Sequence, residues 1–190
     1  QNSASSTTAS AVTGSTEVTI ASGGVVGSSV STSGNVYGGG SGKGSTVTGD
    51  TKVTVASNGT VGGSASNSGN VYGGGFIGAT SGTTTVSGKT TVVINGTVKK
   101  YVFGGGNQSN TSSSCSASAV TGDTSVTIAS GGSASTVYGG GNQDGKTGST
   151  ASTVTGDTEV TVACDNTALY VYGGGNSSNG ASTSGSAKVT

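Results

Sequence analysis

The chain has no proline, methionine, tryptophan, histidine or arginine, and its one leucine is Leu169. Without histidine, a serine or cysteine nucleophile lacks its usual base. Without arginine, and with seven lysines balanced by seven acids, little is left to grip a phosphate backbone, so no nucleic-acid partner is expected. A chain so poor in leucine and methionine, and rich in Val, Ile, Thr and Gly, is not expected to build a helical core. No run approaches the ~18 apolar residues of a membrane-spanning helix, so no membrane insertion is expected. No apolar leader with basic flanks stands at the N-terminus; a cytosolic protein, a mature secreted one and an excised segment all fit. The only cysteines, Cys115 and Cys164, are too few for a disulfide framework, and their spacing matches no metal motif. A bridge within the chain, a bridge between chains and two free thiols remain open alternatives.

What is present is hydroxyl and glycine: 67 of the 190 residues are Ser or Thr and 39 are Gly. That mixture suits a flexible linker, but two markers recur in step, and fixed-period similarity outweighs composition. The first is VTGDT or a close variant, beginning at Val12, Val47, Val86, Val120 and Val154, at intervals of 35, 39, 34 and 34 residues. The second is an aromatic residue before three glycines, at Tyr37, Tyr72, Phe103, Tyr138 and Tyr172. The whole chain, 1–190, reads as one repeat domain, with Val189 as the opening of a partial sixth unit.

Inside each unit, TEVTI, TKVTV, TTVVI, TSVTI and TEVTV alternate β-branched and polar residues. Period two means strand, with Val18 and Ile20 on one face and Glu17 and Thr19 on the other. Each unit then offers too few inward apolar side chains to offset the entropy of ordering its backbone. Stacked as coils, the units share one core and hydrogen-bond strand over strand. The predicted fold is therefore all-β: a parallel β-solenoid of about five coils. Dividing each unit into two coils is the alternative, because residues 120–136 and 137–153 are equally long and both open Val-x-Gly; the compact body of unit three, residues 86–107, favours one.

Stacking predicts that the five aromatics form a ladder, with offset-stacked rings, serving assembly or binding. It also predicts an amide ladder of Asn107, Asn142 and Asn176. The glycines after each ring are expected to take positive φ at a sharp corner and to leave a bare strip of backbone. In LYVY, residues 169–172, Leu169 and Val171 share a face, which turns Tyr170 and Tyr172 outward. KKYVF, residues 99–103, fits that orientation only with a bulge.

The column Ser15, Asp50, Lys89, Asp123, Asp157 brings Asp123 and Asp157 one strand apart. A calcium ion between them is conceivable, but binding of turn amides by these carboxylates is the simpler expectation. Neither a resident metal nor a cofactor is expected. Glu17 and Glu159 stand too far apart in the stack for paired acid–base work, so no enzyme is expected. The outward column Thr19, Thr54, Thr127, Thr161 resembles an ice-binding face, interrupted by Val93 and flanked by Glu17, Lys52 and Glu159. Sequon-like triplets begin at Asn58, Asn95, Asn107, Asn110 and Asn176, so glycan attachment is possible in principle.

The repeated VTGDTxVTI…VYGGG pattern resembles the parallel β-helix repeats of bacterial surface adhesins and related pectin-lyase-like secreted proteins. The resemblance covers nearly the whole chain. It implies a right-handed coil, an extracellular or cell-surface location, and a role as stalk, fibre component or polysaccharide-cleaving enzyme; the enzymes use clustered acids, often with Arg or Lys. Neither terminus shows an amphipathic helix, a proline or a charge cluster to close the stack. The expectation is thus a filament subunit or adhesin stalk segment that assembles with copies of itself, head to tail. A carbohydrate-binding module using the aromatic ladder is the alternative.

Overall fold

A computed structural model of the chain describes residues 10–27, 34–63, 69–78, 82–109, 118–143, 152–163, 168, 170–177 and 181–190. It is a parallel β-solenoid with no helix among those residues. Each coil has four sides. The first carries the Val of the VTGDT marker, and the second the five-residue strand that follows, such as Thr51–Val55. The third carries the valine–aromatic pair, and the fourth the short strand after the glycines, such as Asn107–Gln108. The first two sides are six strands deep and the fourth is four deep. Four consecutive coils have strands on all four sides; the first coil reaches the fourth side only as a Ser41–Phe76 bridge, and the last covers only two sides. The molecule thus has about four full turns flanked by partial ones, against the five expected.

Successive units pair directly and in parallel. Val12 lies beside Val47, Val47 beside Val86, Val86 beside Val120 and Val120 beside Val154. One repeat is therefore one coil, and Val120 never pairs with Val137. The sixth unit needs a correction: Thr183 pairs with Val154 and Val189 with Val160. The unit opens at Thr183, with Thr in place of the marker valine, and Val189 belongs to its second side. The substitution of the marker residue hid the true start.

The period-two pattern folds as expected: in Thr90–Ile94 the alternate residues Thr90, Val92 and Ile94 are buried. The interior then divides. At the head of the first five second-side strands, a threonine hydroxyl donates to the first glycine carbonyl across the coil, as from Thr51 to Gly73, Thr90 to Gly104 and Thr124 to Gly139, at 2.5–2.6 Å. Residues between the ends of this chord, such as Val53, Val55, Val61 and Val71, belong to the large apolar cluster. Val47, Val86, Val120 and Val154, outside it, form a small separate column. A buried carbonyl must find a donor, and the threonine supplies one in every coil from the first to the fifth.

Candidate functional site: the aromatic ladder and glycine corner

On the third side, Val36, Val71, Val102 and Val137 turn inward and are buried. The following aromatics turn to the opposite face of the strand, as the alternation predicts. Register places Tyr37 beside Tyr72, Tyr72 beside Phe103, Phe103 beside Tyr138 and Tyr138 beside Tyr172. Their rings stack at 4.9, 4.8, 4.9 and 5.0 Å between centroids, within 12° of parallel. The spacing is that of the strands themselves, so the backbone sets the stack. The bulge demanded by KKYVF is present: the register shifts between Val98 and Tyr101. It turns Tyr101 edge-on to Phe103 and Tyr138, at 6.0 and 6.3 Å, with the Lys100 ammonium 4.8 Å from the Tyr101 ring centroid.

The triplet glycines serve a different purpose from the one expected. None has positive φ; that conformation belongs to other glycines and to Asn58, in the turn after the second side. Nor is the strip bare, since Gly73–Gly75, Gly104–Gly106 and Gly139–Gly141 are buried. These positions exclude side chains because coils approach too closely. A Cβ on Gly104 would collide with the Gly139 carbonyl oxygen and stand 2.8 Å from Thr124 Oγ1; one on Gly105 would stand 2.7 Å from the Gly141 nitrogen. A Cβ on Gly106 would run into Ser118 Oγ.

Beyond the glycines the amide ladder is present. Asn176 Nδ2 donates to Asn142 Oδ1, and Asn142 Nδ2 to Asn107 Oδ1, both at 2.9 Å. Asn107 Nδ2 makes a long 3.5 Å contact to the Tyr37 hydroxyl. A second pair was not expected: Asn35 Oδ1 accepts from the Asn70 amide and Asn70 Oδ1 from the Tyr101 amide, each at 3.2 Å. Between these amides and the rings lies a groove of about 620 Å³, which Tyr101, Lys100 and Phe76 also line. Burial pushes the phenols of Tyr37 and Tyr138 up; hydrogen bonds from Asn107 and Asn35 partly offset this at Tyr37, while Tyr172 and Tyr101 add to it at Tyr138.

The carboxylate column binds amides, in the coil above rather than in its own turn. Lys89 N donates to Asp50 Oδ1 at 2.8 Å, Asp157 N to Asp123 Oδ1 at 2.9 Å and Ser186 N to Asp157 Oδ1 at 2.8 Å. Among the described residues no group of three or more potential metal ligands gathers. Glu17 and Glu159 sit in separate ion pairs, with Lys52 at 2.9 Å and Lys188 at 3.0 Å. Among the sequon asparagines, Asn107 is buried and Asn176 is tied into the amide ladder, whereas Asn58 is exposed. Cys115, Cys164 and Asn110 lie outside the described residues.

Sequence reasoning missed the threonine chord. The signal was available: Thr16, Thr51, Thr90, Thr124 and Thr158 fill one position in all five units, on the same face as the core valines. It also missed Gln108, which is fully buried with neither amide atom bonded. Register puts Gln108 between Ile77 and Gln143, so its downward neighbour offers no polar group.

Fold and site together define the class, a parallel β-solenoid with an aromatic ladder and a glycine corner. No family model matches the chain, and no curated protein or solved structure is significantly similar to it.

Proposed function

We propose that the chain is a structural element and not an enzyme: a β-solenoid segment of an extracellular filament or of a surface-adhesin stalk. The observation that carries this reading is where the reactive side chains are spent. Ring faces are covered by other rings, threonine hydroxyls by glycine carbonyls, and Asp carboxylates by amides of the next coil. Each contact joins neighbouring coils or walls of one coil, and the same set repeats along the axis. Such repetition builds stiffness by nearest-neighbour coupling. The same coil-to-coil contacts would serve between chains, so copies of itself, stacked head to tail, are the partner we assign. The extracellular or cell-surface placement follows from the resemblance to adhesin repeats.

The groove favours one second reading, a module for neutral glycans. It offers amide groups and phenols and a single cation, Lys100, a mixture suited to hydroxyl-rich ligands. Against a platform built on the whole ladder stands the geometry, because Tyr72, Phe103 and Tyr138 each have rings on both faces and leave none for a sugar. An ice-binding role is less favoured still, since the Glu17–Lys52 and Glu159–Lys188 pairs stand in the column beside the outward threonines.

Tyr37→Phe with Tyr72→Phe separates the readings. The double variant keeps the stack and removes two hydroxyls from the groove wall. Electron microscopy should show unbranched rods or fibres for both wild type and variant. A wild type that binds oligosaccharides and loses them in the variant, with no fibres in either, would replace the structural reading by the module.

A further inference from the structure

The second side presents six strands of five residues or fewer, in register from Thr16–Ile20 to Ala187–Val189. Its outward charges form a pattern. Reading up the axis, one column runs Glu17, Lys52, Thr91, Ser125, Glu159, Lys188. The signs are minus, plus, neutral, neutral, minus, plus. Read downward, the column is plus, minus, neutral, neutral, plus, minus, the opposite sign at every charged rung.

We propose that this face pairs with the same face of a second copy, antiparallel, about a two-fold axis along the strand direction. That operation lays the column on itself with the rungs reversed. Glu17 then faces Lys188 of the other copy, Lys52 faces Glu159, and Thr91 faces Ser125. Each in-chain ion pair becomes half of a quartet of alternating charges, one quartet at either end of the interface. A two-fold axis along the solenoid instead would set the charged column against the threonine column Thr19, Thr54, Thr127, Thr161 and gain nothing. Side-by-side pairing in the same direction leaves no such match.

Strand and residue spacings give the face an area on the order of 450 Å² per partner, below the usual size of a stable interface. The interface is also polar, so its selectivity rests on charge. The dimer is accordingly weak and salt-sensitive. This inference does not rest on the structural reading above, because it needs only the exposed face.

The test is sedimentation velocity of the full chain at low ionic strength, up to about 100 μM protein, the range in which weak dimers are seen. Wild type should show a concentration-dependent dimer whose dissociation constant rises at least about tenfold in 0.5 M salt. Lys52→Glu with Lys188→Glu makes all four charges negative; Glu17→Lys with Glu159→Lys makes all four positive. Each double variant alone should be monomeric, with an unchanged circular dichroism spectrum and melting temperature within a few degrees of wild type. An equimolar mixture of the two should restore the dimer. The proposal fails if wild type stays monomeric, if either variant alone dimerises like wild type, if the mixture does not pair, or if wild type forms only fibres one solenoid wide. Fibres one solenoid wide would leave the structural reading standing while removing this one.

Discussion

Two walls of the same coil are held together in opposite ways. The second side relies on side chains that are there: Val53, Val92, Val126 and Val160 fill the large cluster, and every strand pairs along its full length. The glycine corner relies on side chains that are absent, with coils packed so closely at Gly73–Gly75, Gly104–Gly106 and Gly139–Gly141 that no Cβ fits. A wall built on apolar contact degrades gradually, because a shortened side chain leaves a cavity that neighbours partly fill. A wall built on backbone contact has no such slack. The lesson is that the least decorated stretch of the coil is the least tolerant one.

Three experiments break or sharpen that contrast. The largest effect is expected for Gly104→Ala, where the added methyl meets the Gly139 carbonyl and Thr124. Chemical denaturation should show a loss of about 3 kcal/mol or more. Val126→Ala on the opposite wall should cost about 2 kcal/mol, and Gly14→Ala, with open space around it, close to nothing. Equal losses for Gly104→Ala and Val126→Ala would erase the distinction.

Next comes Thr124→Val, which keeps the shape but leaves the Gly139 carbonyl without its hydroxyl donor. A loss of about 1–3 kcal/mol is expected, while Thr127→Val on the outward face of the same strand should stay within about 0.5 kcal/mol.

The smallest effect is a pH dependence. The phenols of Tyr37 and Tyr138 have folded values above the ordinary 10.0, chiefly through burial. The folded state therefore holds these protons more tightly than the unfolded state. Their contribution is intact below pH 10.0 and is lost as the pH rises from there through the folded values. Ultraviolet titration of the intact fold should show phenols ionising late, and Tyr37→Phe should reduce their number by one.

The coil itself was legible because it rests on two periodicities that sequence displays directly: the alternation within TKVTV and the recurrence of its markers. Ring and asparagine ladders followed, since register carries any recurring residue into a column. The glycine corner was misread because glycine has two uses, left-handed backbone and close approach, and sequence does not distinguish them. The triplets use the second; Gly23 and Gly131, in the turns after the second side, use the first. The threonine chord went unseen because threonine is common throughout the chain, and nothing local marks Thr90 as buried and Thr91 as half-exposed except their order in the alternation. Gln108 is legible only in register, since its isolation comes from Ile77 one coil below.

The aspartate and asparagine columns share a direction: the lower coil supplies the oxygen and the upper coil the N–H. Wherever Asp or Asn recurs in its column, a coil offers the one above the same acceptor; Lys89 and Phe76 are the interruptions. Duplicating or dropping a whole repeat within such a stretch would therefore lengthen or shorten the solenoid while reusing the same kind of contact, and length becomes something evolution can adjust separately from sequence.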